Sequence, residues 1–472
     1  MSDNNTPKPY KKHARPQSRD TRGGRSGGGP RRDRPDSKPA VKLSSSILAR
    51  RCAAAAMKQI MTDQEALESA LERQDDYAGL EPRDRAFARV IVATTCRRQG
   101  QIKAALKPFI RKAPPEMVTA VLQTAAAQIL FLGTPPHAAV DETVSVLKSL
   151  RATQGFANMG NAVLRQIVEK GPKIAAMVAP RDNIPGWIKG AWEKEYGRVE
   201  LRKMATQLTK DPTLDITVKS DAAGWAEKLG GKVIAPQTVR LPEIGNVTEL
   251  DGFASGEWWV QDVAATLPVQ LLATQMGDLS GKRVLDLCAA PGGKTLQLAA
   301  MGAVVTALDK SEGRLKRVHE NLARTKLSAE IVATDALEWD TEQTFDAVLL
   351  DAPCSATGTF RRHPDVLLNR TPKSVSQLAR LQDKLLAKAA TLVKPGGTLV
   401  FATCSLQPQE SKPRLTRFLA ELPDFRLIPV TNVAGLSLPE SRFEGGTVRT
   451  LPSDLPNEGG MDGFFIAVLS RA

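Results

Sequence analysis

From Ser44 to about Gly171 apolar residues return at intervals of three and four, the spacing that gathers them on one face of a helix. Leu48, Cys52, Ala56 and Ile60 recur every fourth residue. Pro82 suits the first turn of a second helix, with Phe87, Val90, Ile91 and Thr94 on its apolar face. Pro114-Pro115 precede a third, lined by Val118, Val121, Leu122, Ala125, Ile129 and Leu130. Thr134-Pro135-Pro136 break the chain before a helix over 138–150, and a last helix carries Phe156, Met159, Ala162, Val163 and Ile167. Strand-like alternation is absent from this stretch, so a small all-α domain is predicted over 44–175.

The pattern then changes twice. Over 176–250 it predicts a small α+β domain: helices over 185–196 and 200–208, short strands at 214–218 and 239–241, and a helix over 222–229 between them. Trp187 and Trp192 there are read as packing residues. From 251 to 472 short apolar runs alternate with helical segments, which predicts an α/β domain with a mostly parallel, Rossmann-like sheet. Its strands are expected at 284–287, 304–308, 331–333, 347–350 and 398–402, with a late strand at 464–469 that pairs antiparallel. Asp309, Asp335, Asp351 and Thr403-Cys404 each fall at the carboxyl end of one of these strands, where such sheets bind ligands.

The first strand runs into Cys288-Ala289-Ala290-Pro291-Gly292-Gly293-Lys294-Thr295 and then a helix. Gly292 and Gly293 let a ligand approach the backbone, and the helix start offers free N–H donors. The spacing fits neither the G-x-G-x-x-G dinucleotide fingerprint nor a Walker loop. An acid at Asp309 suits the two ribose hydroxyls of an adenosine, and Asp335 the adenine amino group; each also reads as a cap or turn residue. An adenosine ligand without a phosphate fits best, which points to S-adenosylmethionine. Cys354 in Asp351-Ala352-Pro353-Cys354-Ser355 and Cys404 in Ala402-Thr403-Cys404-Ser405 arrive at the same sheet edge from neighbouring strands. Inert core thiols are one reading; two cysteines beside a cofactor loop and Asp351 favour nucleophilic chemistry.

Composition narrows the partners. The chain of 472 residues carries a net charge of +14, and residues 1–42 hold twelve Lys/Arg against four Asp/Glu. Basic excess in both tail and body suggests a polyanion. Residues 1–43 are too poor in apolar side chains to offset ordering entropy, and a disordered basic tail is expected there. Its Arg22-Gly23-Gly24-Arg25 resembles RGG-type RNA-binding segments. Five widely spaced cysteines form neither a disulfide framework nor a zinc pattern, so a reducing cytoplasm and no metal are expected. No apolar run suffices for a membrane span.

These motifs, in order, together with Val260-Gln261-Asp262, Arg362-His363-Pro364-Asp365 and Asp462-Gly463-Phe464-Phe465, resemble the Sun family of RNA cytosine-5 methyltransferases. Ala139 to Val144 and Phe156 to Arg165 resemble the NusB family of helical RNA-binding domains. Together they resemble the branch that acts on 16S ribosomal RNA. Departures are the long basic tail and Leu406-Gln407-Pro408-Gln409-Glu410-Ser411, where the family usually has Glu-Asn or a close variant.

The resemblance implies that Cys404 adds to carbon 6 of a cytosine and that Cys354 assists product release. It further implies that Asp351 stabilises charge developing on the base, with Lys294 orienting it or contacting a substrate phosphate. The cofactor would be held by Cys288, Ala289, Ala290, Pro291, Gly292, Gly293, Lys294, Asp309, Asp335 and Asp351. DNA cytosine-5 enzymes attack with the cysteine of a Pro-Cys motif, so Cys354 is the rival nucleophile. Arg361 and Arg362 are read either as RNA-backbone contacts or as a solvated pair. Unassembled or early-assembly rRNA is the expected partner, and a monomer is expected. A tRNA cytosine-5 methyltransferase and a non-catalytic RNA-binding ribosome assembly factor are the alternatives.

Overall fold

Helix starts are set by local chemistry. In the computed structural model, which describes residues 43–242 and 246–472, the Ser44 side chain accepts the Ile47 N–H at the start of α1 (Ser45–Thr62). The tail expected over 1–43, with its Arg-Gly-Gly-Arg stretch, lies outside the described residues apart from Leu43. Further helices follow: α2 (Leu67–Glu72), α3 (Pro82–Arg97), α4 (Gln99–Leu106), α5 (Glu116–Phe131), α6 (Pro136–Ser149) and α7 (Ala157–Ala176). Two expectations about faces need correction. In α3 the buried stripe is Ala88, Ile91, Val92, Thr95 and Cys96, while Val90 is 44% exposed. Packing against both α1 and α5 turns the helix by about one residue from the face read along the chain. In α7 Ala162 is exposed, whereas Gly160, Val163, Leu164 and Ile167 are buried. A Cβ at Gly160 would stand 2.5 Å from Leu147 Cδ1, so this glycine lets α6 and α7 approach closely.

The next segment begins with α8 (Gly186–Leu208), which breaks at Gly197, where φ is 81°. It continues through β1 (Leu214–Val218), α9 (Ala222–Lys228), β2 (Lys232–Ala235), β3 (Thr238–Leu241) and β4 (Trp258–Val260). These strands form an antiparallel sheet in the order β2-β3-β1-β4. Neither β2 nor β4 was predicted. They are only four and three residues long, too short for alternation to register, and β4 lies past residue 251 yet belongs to this sheet. Asp215 and Arg240 face each other across β1 and β3 in a buried pair at 2.6 Å.

The remaining elements are α10 (Val263–Met276), β5 (Arg283–Leu287), α11 (Gly293–Ala300), β6 (Val304–Asp309), α12 (Glu312–Thr325), β7 (Glu330–Ala333) and β8 (Phe345–Asp351). They end with α13 (Pro372–Leu392), β9 (Val393–Thr403), α14 (Lys412–Glu421), β10 (Phe425–Ile428), β11 (Val448–Arg449) and β12 (Phe465–Arg471). The large sheet has the order β10-β12-β9-β8-β5-β6-β7, with β11 paired to β12. Strands β5 to β9 are parallel; β12 is antiparallel, as the sequence predicts, and so are β10 and β11, which it does not predict. Separate apolar layers cover the two sheet faces, one around Leu267, Val284 and Val400, the other around Leu285, Phe401 and Leu386. Chain order reverses at β5, flanked by β6 on one side and β8 on the other, and this switch point opens the ligand crevice at its carboxyl end.

The segment after β8 ties the parts together. Arg97 Nη2 of α3 donates to the Arg361 carbonyl at 2.6 Å, the Leu67 N–H to Asp365 Oδ2 at 3.1 Å, and Asn369 Nδ2 to the Glu65 carbonyl at 3.1 Å. Arg361 fits neither reading, and Arg362 is paired as well, with its side chain 31% exposed. Arg361 is 1% exposed and donates to Asp262, Asp462, Thr213 Oγ1 and the Gly459 carbonyl. Arg362 Nε donates to Asp462 Oδ2 at 3.0 Å. Buried carboxylates brought from distant segments capture both guanidinium groups.

Candidate active site

Three strand ends and the β5–α11 loop converge on the crevice. Cys288, at the end of β5, takes a positive φ of 66°, and Gly292 one of 102°. A Cβ on Gly292 would lie 3.2 Å from Val318 Cγ1, so the loop packs here against α12 with no room for a side chain. Asp286, inside β5, accepts the Thr295 hydroxyl at 2.6 Å and so fastens the strand to the first turn of α11. Burial, with Asp351 and Asp309 nearby, pushes its pKa up to about 6 against the help of Thr295 and Lys294.

A pocket beside the loop is lined by Cys288, Leu308, Asp309, Lys310, Arg314, Asp335, Ala336, Pro353, Leu381 and Leu385. Its apolar walls suit a flat aromatic base, and its carboxylates suit hydroxyl and amino donors. Asp309 is 2% exposed. It accepts the Ala290 N–H at 3.2 Å and the Ser311 N–H at 3.0 Å, so it shapes the loop and faces the pocket as well. Asp335 caps its own turn through the Leu337 N–H at 3.0 Å. Both acids thus make cap or loop contacts, and both line the pocket. Cys288 lines this pocket rather than joining the other two sulfurs, and burial pushes its thiol up to about 12. This donor set fits an adenosine; Ala289, Ala290, Pro291 and Gly293 contribute backbone to the turn that frames it.

Beside the pocket, Lys294 Nζ donates to Asp351 Oδ2 at 2.6 Å. Burial opposes the ammonium, but Asp351, Asp286 and Cys404 outweigh it and raise the Lys294 pKa above the ordinary lysine value. The contact with Asp351 is the first of the two roles expected for Lys294. The sulfurs of Cys354 and Cys404 stand 3.4 Å apart. The contact with Cys404, then burial, then the charges of Cys404, Glu410 and Asp351 raise the Cys354 pKa well above an ordinary thiol. Gly358 lets the two loops and the C-terminal segment close up: its N–H donates to the Cys404 carbonyl and its carbonyl accepts the Gly463 N–H, both at 2.9 Å. A Cβ there would sit 1.9 Å from the Gly463 oxygen. Glu410, Gln382, Ser355 and Ser405, which surround the cysteines, were not singled out from sequence; only proximity to the two motifs marked any of them.

Comparison with known proteins agrees with this arrangement. Residues 269–470 match the family described as 16S rRNA methyltransferase RsmB/F, and residues 48–169 match the NusB family. Ribosomal RNA small subunit methyltransferase B of Vibrio cholerae is 34% identical over 445 residues, covering 89% of this chain and 97% of that protein. The chain belongs to the RsmB/F family of 16S rRNA methyltransferases. Its namesake in Salmonella paratyphi B is 37% identical over 322 residues, 64% of this chain and 73% of that one. Among solved structures, that of PH0851 superposes with a TM-score of 0.71 at 23% identity, over 92% of this chain and all of that one, which speaks to the fold. As an RsmB/F member the chain is an rRNA methyltransferase, with a NusB region ahead of a Rossmann-like sheet. No described helix is long and apolar enough to cross a membrane.

Proposed function

We propose that this RsmB/F enzyme methylates carbon 5 of a cytosine in 16S rRNA through a covalent bond between Cys404 and carbon 6. The observation that carries this reading is the 3.4 Å contact between Cys354 and Cys404 beside the Lys294–Asp351 pair. The methyl donor is S-adenosylmethionine, held by the Cys288–Lys294 loop with Asp309 and Asp335, and it supplies an electrophilic methyl group. Carbon 5 of cytosine is a poor nucleophile. Addition of the Cys404 thiolate to carbon 6 pushes an electron pair towards carbon 5 and makes it enamine-like. Asp351 meets the N3 edge of the ring, and the Lys294 ammonium that holds it offsets the negative charge that develops there. The contact with Cys404 and burial both favour the protonated form of Cys354, which suits a role in release. After methyl transfer the carbon 5 proton passes to solvent, its electron pair re-forms the carbon 5–carbon 6 double bond, and Cys404 departs as the thiolate, which the Cys354 S–H in contact with it stabilises.

The base must be unpaired or flipped to reach sulfurs set between strand ends, which favours free or early-assembly rRNA. Family membership favours rRNA over tRNA, and the intact thiol pair favours catalysis over a purely assembly role. Bisulfite sequencing of small-subunit rRNA from a strain lacking the gene tests the reading. One methylcytosine should disappear; persistence of every one would refute it.

A further inference from the structure

Glu410 is fully buried, yet its hydrogen-bond donors are two hydroxyls, an amide and a backbone N–H, none of them a cation. The Ser355 N–H reaches its two carboxylate oxygens at 2.9 and 3.2 Å. The Ser355 and Ser405 hydroxyls both donate to Oε2 at 2.5 Å. Gln382 Nε2, from α13, donates to Oε1 at 3.1 Å and to the Pro353 carbonyl at 2.9 Å. The Thr403 hydroxyl donates to the Glu410 carbonyl at 2.9 Å. The residues on both sides of Cys354 (Pro353, Ser355) and on both sides of Cys404 (Thr403, Ser405) are therefore bound to Glu410, Pro353 through Gln382.

We propose that Glu410 is the positioning residue for the thiol pair, a buried carboxylate that clamps the two cysteine loops in register and so sets the sulfur–sulfur contact. A buried carboxylate without a counter-ion is costly, and here charge-assisted hydrogen bonds offset that cost. An acceptor-only group collects the donors of two separate loops at one point, which a neutral amide cannot do, because half of its edge donates. A glutamine at this position has one acceptor oxygen in place of two, so its N–H₂ meets either the serine hydroxyls, which must turn to accept, or the Ser355 N–H and Gln382 Nε2, and the clamp loosens. The clamp acts on Cys354 and Cys404 and touches neither base nor cofactor. The proposal rests on the reading that both thiols serve methyl transfer, Cys404 by attack and Cys354 by release.

The test measures the thiol pair directly in RNA-free protein. Diamide takes two electrons and two protons from the thiols, becoming the hydrazine as the Cys354–Cys404 disulfide forms, and peptide mass spectrometry follows the cross-link. Sulfurs held in contact should cross-link at least about ten times faster in the wild type than in Glu410→Gln, with Ser405→Ala between them. Cofactor affinity and circular dichroism should match the wild type, and if Glu410→Gln does not fold, Ser405→Ala alone carries the comparison. With RNA and cofactor, Glu410→Gln should accumulate a covalent RNA adduct, as Cys354→Ala does, because attack proceeds while release fails. A merely structural role would lower adduct and turnover together. Wild-type cross-linking rates in folded variants would overturn the proposal. Absence of adduct in Cys354→Ala would instead refute the covalent reading, and the cross-linking rates would still decide the clamp.

Discussion

Replacing Arg361 with methionine removes a guanidinium buried among carboxylates that are themselves buried. Asp262 and Asp462, 2% and 0% exposed, would keep Arg362 as their paired cation, its Nε 3.0 Å from Asp462 Oδ2 and 3.9 Å from Asp262 Oδ2, and Asp262 would keep the Ala264 and Asp462 N–H groups. Thr213 Oγ1 and the Gly459 carbonyl would also lose their donor. Removing one partner of a buried ion pair costs about 3–5 kcal/mol. Protonation is the escape route. Asp462 already has its pKa pushed up to about 6, chiefly by burial, with Arg362 and Arg361 opposing and Asp262 reinforcing. Losing Arg361 moves it higher. A carboxyl whose folded pKa is raised costs stability progressively as pH climbs from the unfolded value through the folded one, and costs nothing while protonated. The wild type has incurred that cost by about pH 6; the variant continues to lose stability above it. Urea denaturation followed by circular dichroism should therefore show a deficit larger at pH 8 than at pH 5. A deficit under about 1 kcal/mol at pH 8, independent of pH, would mean that the network is solvated and the argument fails.

Three further outcomes follow from the same contacts. Asp309→Ala should weaken S-adenosylmethionine binding by about 1–3 kcal/mol in calorimetry, and unchanged affinity would leave it only the loop contacts to Ala290 and Ser311. Lys294→Met should lower kcat by about 10- to 100-fold, the worth of one charge-assisted hydrogen bond; an unchanged kcat with only cofactor binding weakened would move Lys294 out of the catalytic set. Asp286→Asn should gain stability on the wild type as pH rises from 4 to 7, by up to about 3 kcal/mol, because the folded carboxyl keeps its proton to about pH 6 while the unfolded chain releases it near 4. A pH-independent difference in denaturation would refute that assignment.

The chemistry near the sheet was legible because its signals are local. A continuous apolar run into small residues specifies a buried strand and a tight turn, and a polar residue at each strand end falls at the crevice once the sheet is parallel. The Cys354–Cys404 contact follows from that reading, since β8 and β9 pair in parallel with Asp351 opposite Ala402. Helix faces were less legible: Val90 and Ala162 satisfy the period, but packing chooses a face one residue round. Arg361 reads as solvated in Arg361-Arg362-His363 because its partners Asp262, Asp462 and Thr213 lie 99, 101 and 148 residues away in the chain. Glu410 was hidden for the same reason, as half of its clamp comes from the loop that carries Ser355, 55 residues earlier.

The central claim is the division of labour between the two sulfurs, and a denaturing gel of each variant with rRNA and S-adenosylmethionine tests it most directly. Cys404→Ala should form no adduct and no product. Cys354→Ala should form the Cys404–RNA bond and stall, giving a slow band that ribonuclease removes. Inert core thiols would leave both variants active with no band, and an adduct lost in Cys354→Ala but retained in Cys404→Ala would reverse the roles assigned here.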